Sequence, residues 1–127
     1  MNDTKTLNND AKDAGSDCGG GLACEPWSMD AAERERWRAL LDQVIASRRQ
    51  VVEVESGYAF RFASDAATIR DIAEWITYER RCCPFLEFEL AVESHGGPLW
   101  LKLSGPDGVK DLIRAEFAIG GSERHSA

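Results

Sequence analysis

Histidine, the commonest metal ligand among the side chains, is scarce in this chain. Two histidines and four cysteines occur among 127 residues. There is no C-x-x-C pair and no histidine at ligand spacing from a cysteine, so the sequence lacks a zinc-site signature. His95 falls in a predicted turn and His125 near the end of the chain, and we interpret both as solvated rather than ligating.

Basic residues are outnumbered by acidic ones, and long apolar runs are absent from the sequence. Lysine and arginine number 15 against 22 acidic residues, and the net charge of −7 indicates repulsion from nucleic acid and from anionic membranes. No apolar run approaches the roughly 18 residues of a membrane helix, and residues 1–17 contain no secretory signal. We therefore expect a cytoplasmic protein, with neither nucleic acid nor membrane as a partner, whose cysteines are reduced thiols.

The length of the chain, 127 residues, favours a single domain. Residues 1–23 are rich in Asn, Asp, Gly and Lys and lack apolar periodicity, so we predict a disordered tail. Residues 24–119 form the predicted single α+β domain, for which a hydrophobic fraction of 43% supplies a core. Residues 120–127 are predicted to be a frayed C-terminus.

Apolar periodicity within the domain predicts the order α-β-β-α-β-β-α. The first helix begins near Asp30, which forms a capping box with Glu33. The second helix begins after Ser64 or Asp65 and ends at Cys83, because Pro84 disfavours helical geometry in the residue before it. The third helix starts at Gly105-Pro106-Asp107.

Strict alternation predicts two hairpins and one four-stranded antiparallel sheet. In the second hairpin four residues face the same way and alternate with glutamates: Leu86, Phe88, Leu90 and Val92. We expect the helices to pack mainly on one face of this sheet and the other face to be more polar.

The chemistry of the chain is concentrated at the end of the second helix. Glu79, Cys82 and Cys83 are related as i, i+3 and i+4, so their side chains share one helix face. That face continues an apolar stripe, and a carboxylate there is costly unless it is paired or hydrogen-bonded. Glu79 has a structural interpretation as the partner of an arginine or of backbone amides.

The thiols also have two interpretations. Cys82 and Cys83 are either small buried hydrophobic residues or a paired-thiolate site for a soft ion or redox chemistry. Cys24 precedes the first helix and would approach this pair if the first two helices pack side by side, giving a three-thiol site; alternatively it is incidental. Trp27, Trp37 and Trp75 are predicted core aromatics.

A family resemblance rests on the run from Glu79 to Leu90, ERRCCPFLEFEL. This run resembles the signature of a family of small, uncharacterised bacterial proteins with an E-x-x-C-C-P-F motif. The resemblance extends over roughly residues 24 to 117. It implies a fold boundary and no established activity, and it makes Cys24, Glu79, Cys82 and Cys83 the first positions to test.

The leading hypothesis is a thiol-based binding protein for a soft metal or metalloid ion. Cys82, Cys83 and Cys24 are the candidate ligands, and Glu79 is a further ligand or a proton acceptor beside them. One alternative is a non-catalytic interaction module, a homodimer joined through the open sheet face or an edge strand. Another is a small thiol redox protein, and the residues alone do not decide whether the chain is an enzyme.

Overall fold

The computed structural model describes the backbone and side chains of residues 28–120, together with the backbone of residues 17–19 and 22–23. Three helices lie in this part of the chain: α1 (Ala31–Ser47), α2 (Ala66–Cys82) and α3 (Val109–Glu116). Its strands are β1 (Asp17–Gly19), β2 (Leu22–Ala23), β3 (Gln50–Val54), β4 (Gly57–Phe62), β5 (Glu87–Val92) and β6 (Leu99–Ser104).

The predicted fold class is confirmed. Strands β3 to β6 form one antiparallel sheet in the spatial order β3-β4-β6-β5, and the domain follows the order α-β-β-α-β-β-α. The two hairpins therefore meet along β4 and β6, which lie in the centre and are the best-buried strands. Strands β3 and β5 are the edges of the sheet.

The strand register aligns large apolar side chains on the inner face. Phe60 lies between Val51 and Leu101, and Leu101 in turn lies opposite Leu90. Val92 pairs with Leu99 and so belongs to this face as predicted, but its side chain is 54% exposed. Since β5 is an edge strand and Val92 is its last residue, the helix layer does not cover this position.

Helices α2 and α3 cover the inner face. Trp75 of α2 packs edge-on against Phe88 of β5 and against Phe117 at the end of α3, with ring centroids 6.0 and 5.6 Å apart. Phe117 also contacts Phe60, with centroids 4.9 Å apart. Helix α1 packs along α2, which brings its buried Trp37 towards the same interior.

The residues predicted to cap the first two helices do cap them. Asp30 and Glu33 form a reciprocal capping box at the start of α1, and the Asp65 carboxylate accepts the backbone N–H of Thr68 at the start of α2. Helix α2 ends at Cys82, and Cys83 is its C-cap. The end of α2 was therefore predicted to within one residue.

The segment predicted to be a tail contains the short antiparallel pair β1–β2, and β1 lies against α3. The remainder of residues 1–27 and all of 121–127 lie outside the described residues, so the disordered tail and the frayed C-terminus stay predictions. Within the described part of the chain, no helix has both the length and the apolar character needed to cross a membrane.

The close approach of β4 and β6 at Gly57 generates a prediction. A Cβ atom at Gly57 would lie 1.8 Å from the carbonyl oxygen of Leu103 in the neighbouring strand. Gly57→Ala must therefore push the central strands apart, and we expect a loss of at least about 2 kcal/mol in the free energy of unfolding, measured by denaturant titration. Gly120→Ala is the matched control, since nothing lies within 4 Å of its added Cβ. A loss at Gly57 no larger than at Gly120 would contradict this packing.

Candidate functional site

The end of α2 brings Glu79, Cys82 and Cys83 together, as their spacing predicts. One carboxylate oxygen and the two sulfur atoms all lie within 4.8 Å of one another. The exposed fractions are 0% for Glu79, 3% for Cys82 and 1% for Cys83, so the cluster lies inside the protein. These three residues can hold a metal ion.

Backbone hydrogen bonds fix the position of Cys83. Its N–H donates to the carbonyl of Glu79 at 2.7 Å, which closes the last turn of α2, and its carbonyl accepts from the N–H of Leu86 at 3.1 Å. The Cys83 backbone leaves the helical region, with φ −126° and ψ 78°, as the following Pro84 requires. The Cys83 sulfur comes to lie 3.7 Å from the Cys82 sulfur.

Glu79 is held by a residue on another helix. Its Oε1 accepts the indole N–H of Trp37 at 2.7 Å. This contact takes the place of the arginine or backbone amides that the sequence suggested as partners. Its Oε2 is buried and makes no hydrogen bond to any described residue. The Glu79 carboxyl therefore links α1 to α2 through Oε1.

A second carboxyl, that of Glu116 in the last turn of α3, interacts with Glu79. Burial raises the pKa of Glu79, and the neighbouring Glu116, Trp37 and Cys83 side chains partly oppose this rise. Burial and the negative charge of Glu79 raise the pKa of Glu116 well above its ordinary value. The pair therefore tends to hold a proton between its two carboxyls.

The Cys83 thiol is kept protonated. The hydrogen bond to Cys82, burial and the nearby negative charge of Glu79 all raise the pKa of the Cys83 thiol far above its usual range. Arg81 does not offset these effects, because its guanidinium donates to both carboxylate oxygens of Glu33 at 3.2 Å. The direction is the opposite of what a reactive cysteine needs.

Arg81 also fixes the chain that precedes α1. Its guanidinium donates to the carbonyl of Ser28, and the Ser28 hydroxyl donates to the carbonyl of Arg81 at 3.4 Å. Residue 28 is thereby held beside Cys82. The predicted third thiol, Cys24, lies outside the described residues, as do Trp27, His125 and the side chain of Cys18. His95 lies in an exposed turn, as expected.

Trp37 and Glu116 are the site residues that the sequence did not assign. Trp37 was expected in the core and is there, but its bond to Glu79 depends on how α1 packs on α2. Glu116 follows an apolar stripe in α3 and gives no sequence indication that it meets another carboxyl.

Comparisons of the chain with protein families, curated proteins and solved structures give no match. The chemistry of the site is therefore derived from its own geometry.

The Trp37–Glu79 bond generates a prediction on stability. Glu79→Ala should lower the free energy of unfolding by roughly 1–3 kcal/mol, because the Trp37 N–H loses its acceptor and a buried space is left. Glu79→Gln keeps an oxygen acceptor for Trp37 and should cost less than Glu79→Ala. Exposed Glu87→Ala is the control, with an effect within about 0.5 kcal/mol. Equal denaturant midpoints for Glu79→Ala and Glu87→Ala would mean that the bond does not stabilise the fold.

The raised carboxyl pKa values generate a prediction on pH. A group whose pKa is raised by folding binds protons more tightly in the native state than in the unfolded state. The contribution of Glu79 and Glu116 is therefore fully present below their ordinary pKa of about 4.5 and is lost as the pH rises through their raised values. Between those limits, wild-type stability should fall with rising pH more steeply than that of Glu116→Gln. Parallel pH profiles from denaturant melts would contradict the coupling.

Proposed function

We propose that this protein binds a soft metal or metalloid ion through Cys82 and Cys83, with Glu79 as an oxygen ligand or proton acceptor beside them. The observation that carries the proposal is the buried cluster of two sulfur atoms and one carboxylate oxygen within 4.8 Å. Soft thiolate ligands favour ions such as zinc, cadmium or copper(I) over hard ions such as magnesium or calcium.

The spacing of the two sulfur atoms suits one shared ion. Two thiolates bound at about 2.3 Å to a tetrahedral ion lie about 3.8 Å apart, whereas two thiolates on opposite sides of a linear ion would lie about 4.6 Å apart. The Cys82 and Cys83 sulfur atoms are 3.7 Å apart. The pair can therefore bind one ion as a bent, two-sulfur clamp with little rearrangement.

Charge supports the same function. Two thiolates neutralise a divalent cation, so the loaded pair carries no net charge into the buried site. The ion itself supplies the driving force to displace the thiol protons, which burial and the neighbouring carboxyls otherwise retain. Binding therefore releases protons and strengthens as the pH rises. The thiols must also be reduced, which a cytoplasmic setting provides.

Cys24 remains the predicted third ligand. Ser28 is fixed against Arg81, next to Cys82. Cys24 lies four positions before Ser28, and an extended chain of four residue steps spans at most about 14 Å. This tether supports a three-thiol site.

The redox alternative has no support of this kind. It requires a thiolate near neutral pH, whereas the Cys83 thiol is held protonated. The homodimer alternative concerns a different part of the molecule, namely the edge strands and the outer face of the sheet. On that outer face Lys102 and Glu89 form an ion pair at 3.5 Å.

Cadmium is a suitable probe for the proposed site, since it is thiophilic and redox-inert. Binding to the native state stabilises it by about 2.7 kcal/mol when free ligand is a hundred times its dissociation constant. The melting temperature of the reduced wild type should therefore rise on addition of Cd²⁺. Cys82→Ser and Cys83→Ser should each abolish most of this rise, and Cys24→Ser should reduce it only if that thiol is a ligand.

Cys18→Ser is the matched control and should keep the full rise. Each shift is measured against the same variant without ion, so a change in basal stability does not affect the comparison. A wild type with neither a thermal shift nor stoichiometric uptake would overturn the metal proposal and leave Cys82 and Cys83 as core residues.

A further inference from the structure

A second polar site lies at the opposite end of α2 from the thiols. There, Arg49, Arg61 and Ser64 line a cavity of about 280 Å³ together with the 96–98 turn between β5 and β6. Helix α2 has 17 residues, so about 25 Å of helix separates this cavity from the cysteines. The cavity is independent of the proposed metal site.

The β3–β4 hairpin places two arginines, Arg49 and Arg61, at this cavity. The backbone N–H of Arg49 donates to the carbonyl of Arg61 at 2.7 Å, which fixes the two residues next to each other. The Arg61 side chain is half-buried, and its Nε donates to the side-chain oxygen of Gln50 at 2.9 Å. This neutral partner orients the guanidinium without cancelling its charge and leaves its terminal N–H groups for another acceptor.

No carboxylate among residues 28–120 compensates the charges of Arg49 and Arg61. Within residues 28–120, neither guanidinium forms an ion pair, in contrast to Arg36, Arg81 and Arg114. Acidic residues outnumber basic ones in this chain, so two unpaired arginines at one cavity go against its overall charge balance.

The carboxylates that border the cavity already have partners. Asp65 follows Ser64 and accepts the N–H and the hydroxyl of Thr68 at 3.1 and 2.8 Å. Glu93 lies beside Gly97 and accepts the indole N–H of Trp100 at 3.0 Å. Neither carboxylate forms an ion pair with Arg49 or Arg61, so the positive charge of the cavity is available to an anion.

We propose that this cavity binds a phosphate group, either inorganic phosphate or the phosphate of a small monoester. The planar guanidinium groups of Arg49 and Arg61 supply paired N–H donors that match phosphate oxygens, and Ser64 adds a hydroxyl donor. The volume lies just below the range of about 300–1,000 Å³ typical of small-molecule pockets. It therefore suits a phosphate or a small phosphoester rather than a nucleotide.

The test is a titration of the full chain with inorganic phosphate at constant ionic strength, followed by amide chemical shifts in NMR. Saturable shifts at Ser64, Gly96 and Gly97 are expected, while matched chloride and acetate additions leave them unchanged. A small phosphomonoester titrated in parallel decides between the two sources: tighter binding of the ester assigns the site to an esterified phosphate.

Arg49→Gln and Arg61→Gln should each weaken phosphate binding at least tenfold. Arg70→Gln, which removes one exposed charge from the second turn of α2, should leave it unchanged. Arg61→Lys keeps the charge but loses the paired donors, so a weakening there distinguishes bidentate recognition from simple attraction. Shifts that never saturate, that chloride reproduces, or that survive in Arg49→Gln would overturn the proposal.

Discussion

The hydrogen bond from the Trp37 indole to the Glu79 carboxyl is the contact on which the candidate site depends. A carboxyl with no exposure to solvent needs a donor, and Trp37 provides it at 2.7 Å from a helix 42 residues earlier in the chain. The same bond fixes the position of Glu79 beside the two sulfur atoms. The geometry of the site therefore depends on how α1 packs on α2.

The carboxyl is one of three influences on the Cys83 thiol. The hydrogen bond to the Cys82 sulfur, burial and the negative charge of Glu79 all raise the pKa of Cys83 and keep it protonated. A protonated, enclosed thiol such as Cys83 is protected from alkylation and oxidation, whereas an ion that forms strong bonds to sulfur can displace its proton. The arrangement thus disfavours redox chemistry at Cys83 and is compatible with the proposed ion binding. Glu116 adds a second carboxyl that shares the proton of the site.

Local features of this chain were predictable from its sequence, and contacts between distant elements were not. The capping box of Asp30, the end of α2 before Pro84 and the common face of Glu79, Cys82 and Cys83 each depend on residues a few positions apart. The contacts of Glu79 with Trp37 and Glu116 depend on how three helices pack over the sheet, which periodicity does not specify. The exposure of Val92 was unpredictable for the same reason. It depends on the order of the strands, which places β5 at the edge of the sheet.

X-ray absorption spectroscopy of the cadmium-loaded, reduced protein tests the central claim most directly, because it counts the sulfur atoms bound to the ion. The account predicts at least two sulfur ligands per ion in the wild type, from Cys82 and Cys83, and one fewer in Cys83→Ser. A first shell made only of oxygen and nitrogen, or a sulfur count unchanged by Cys83→Ser, would contradict it.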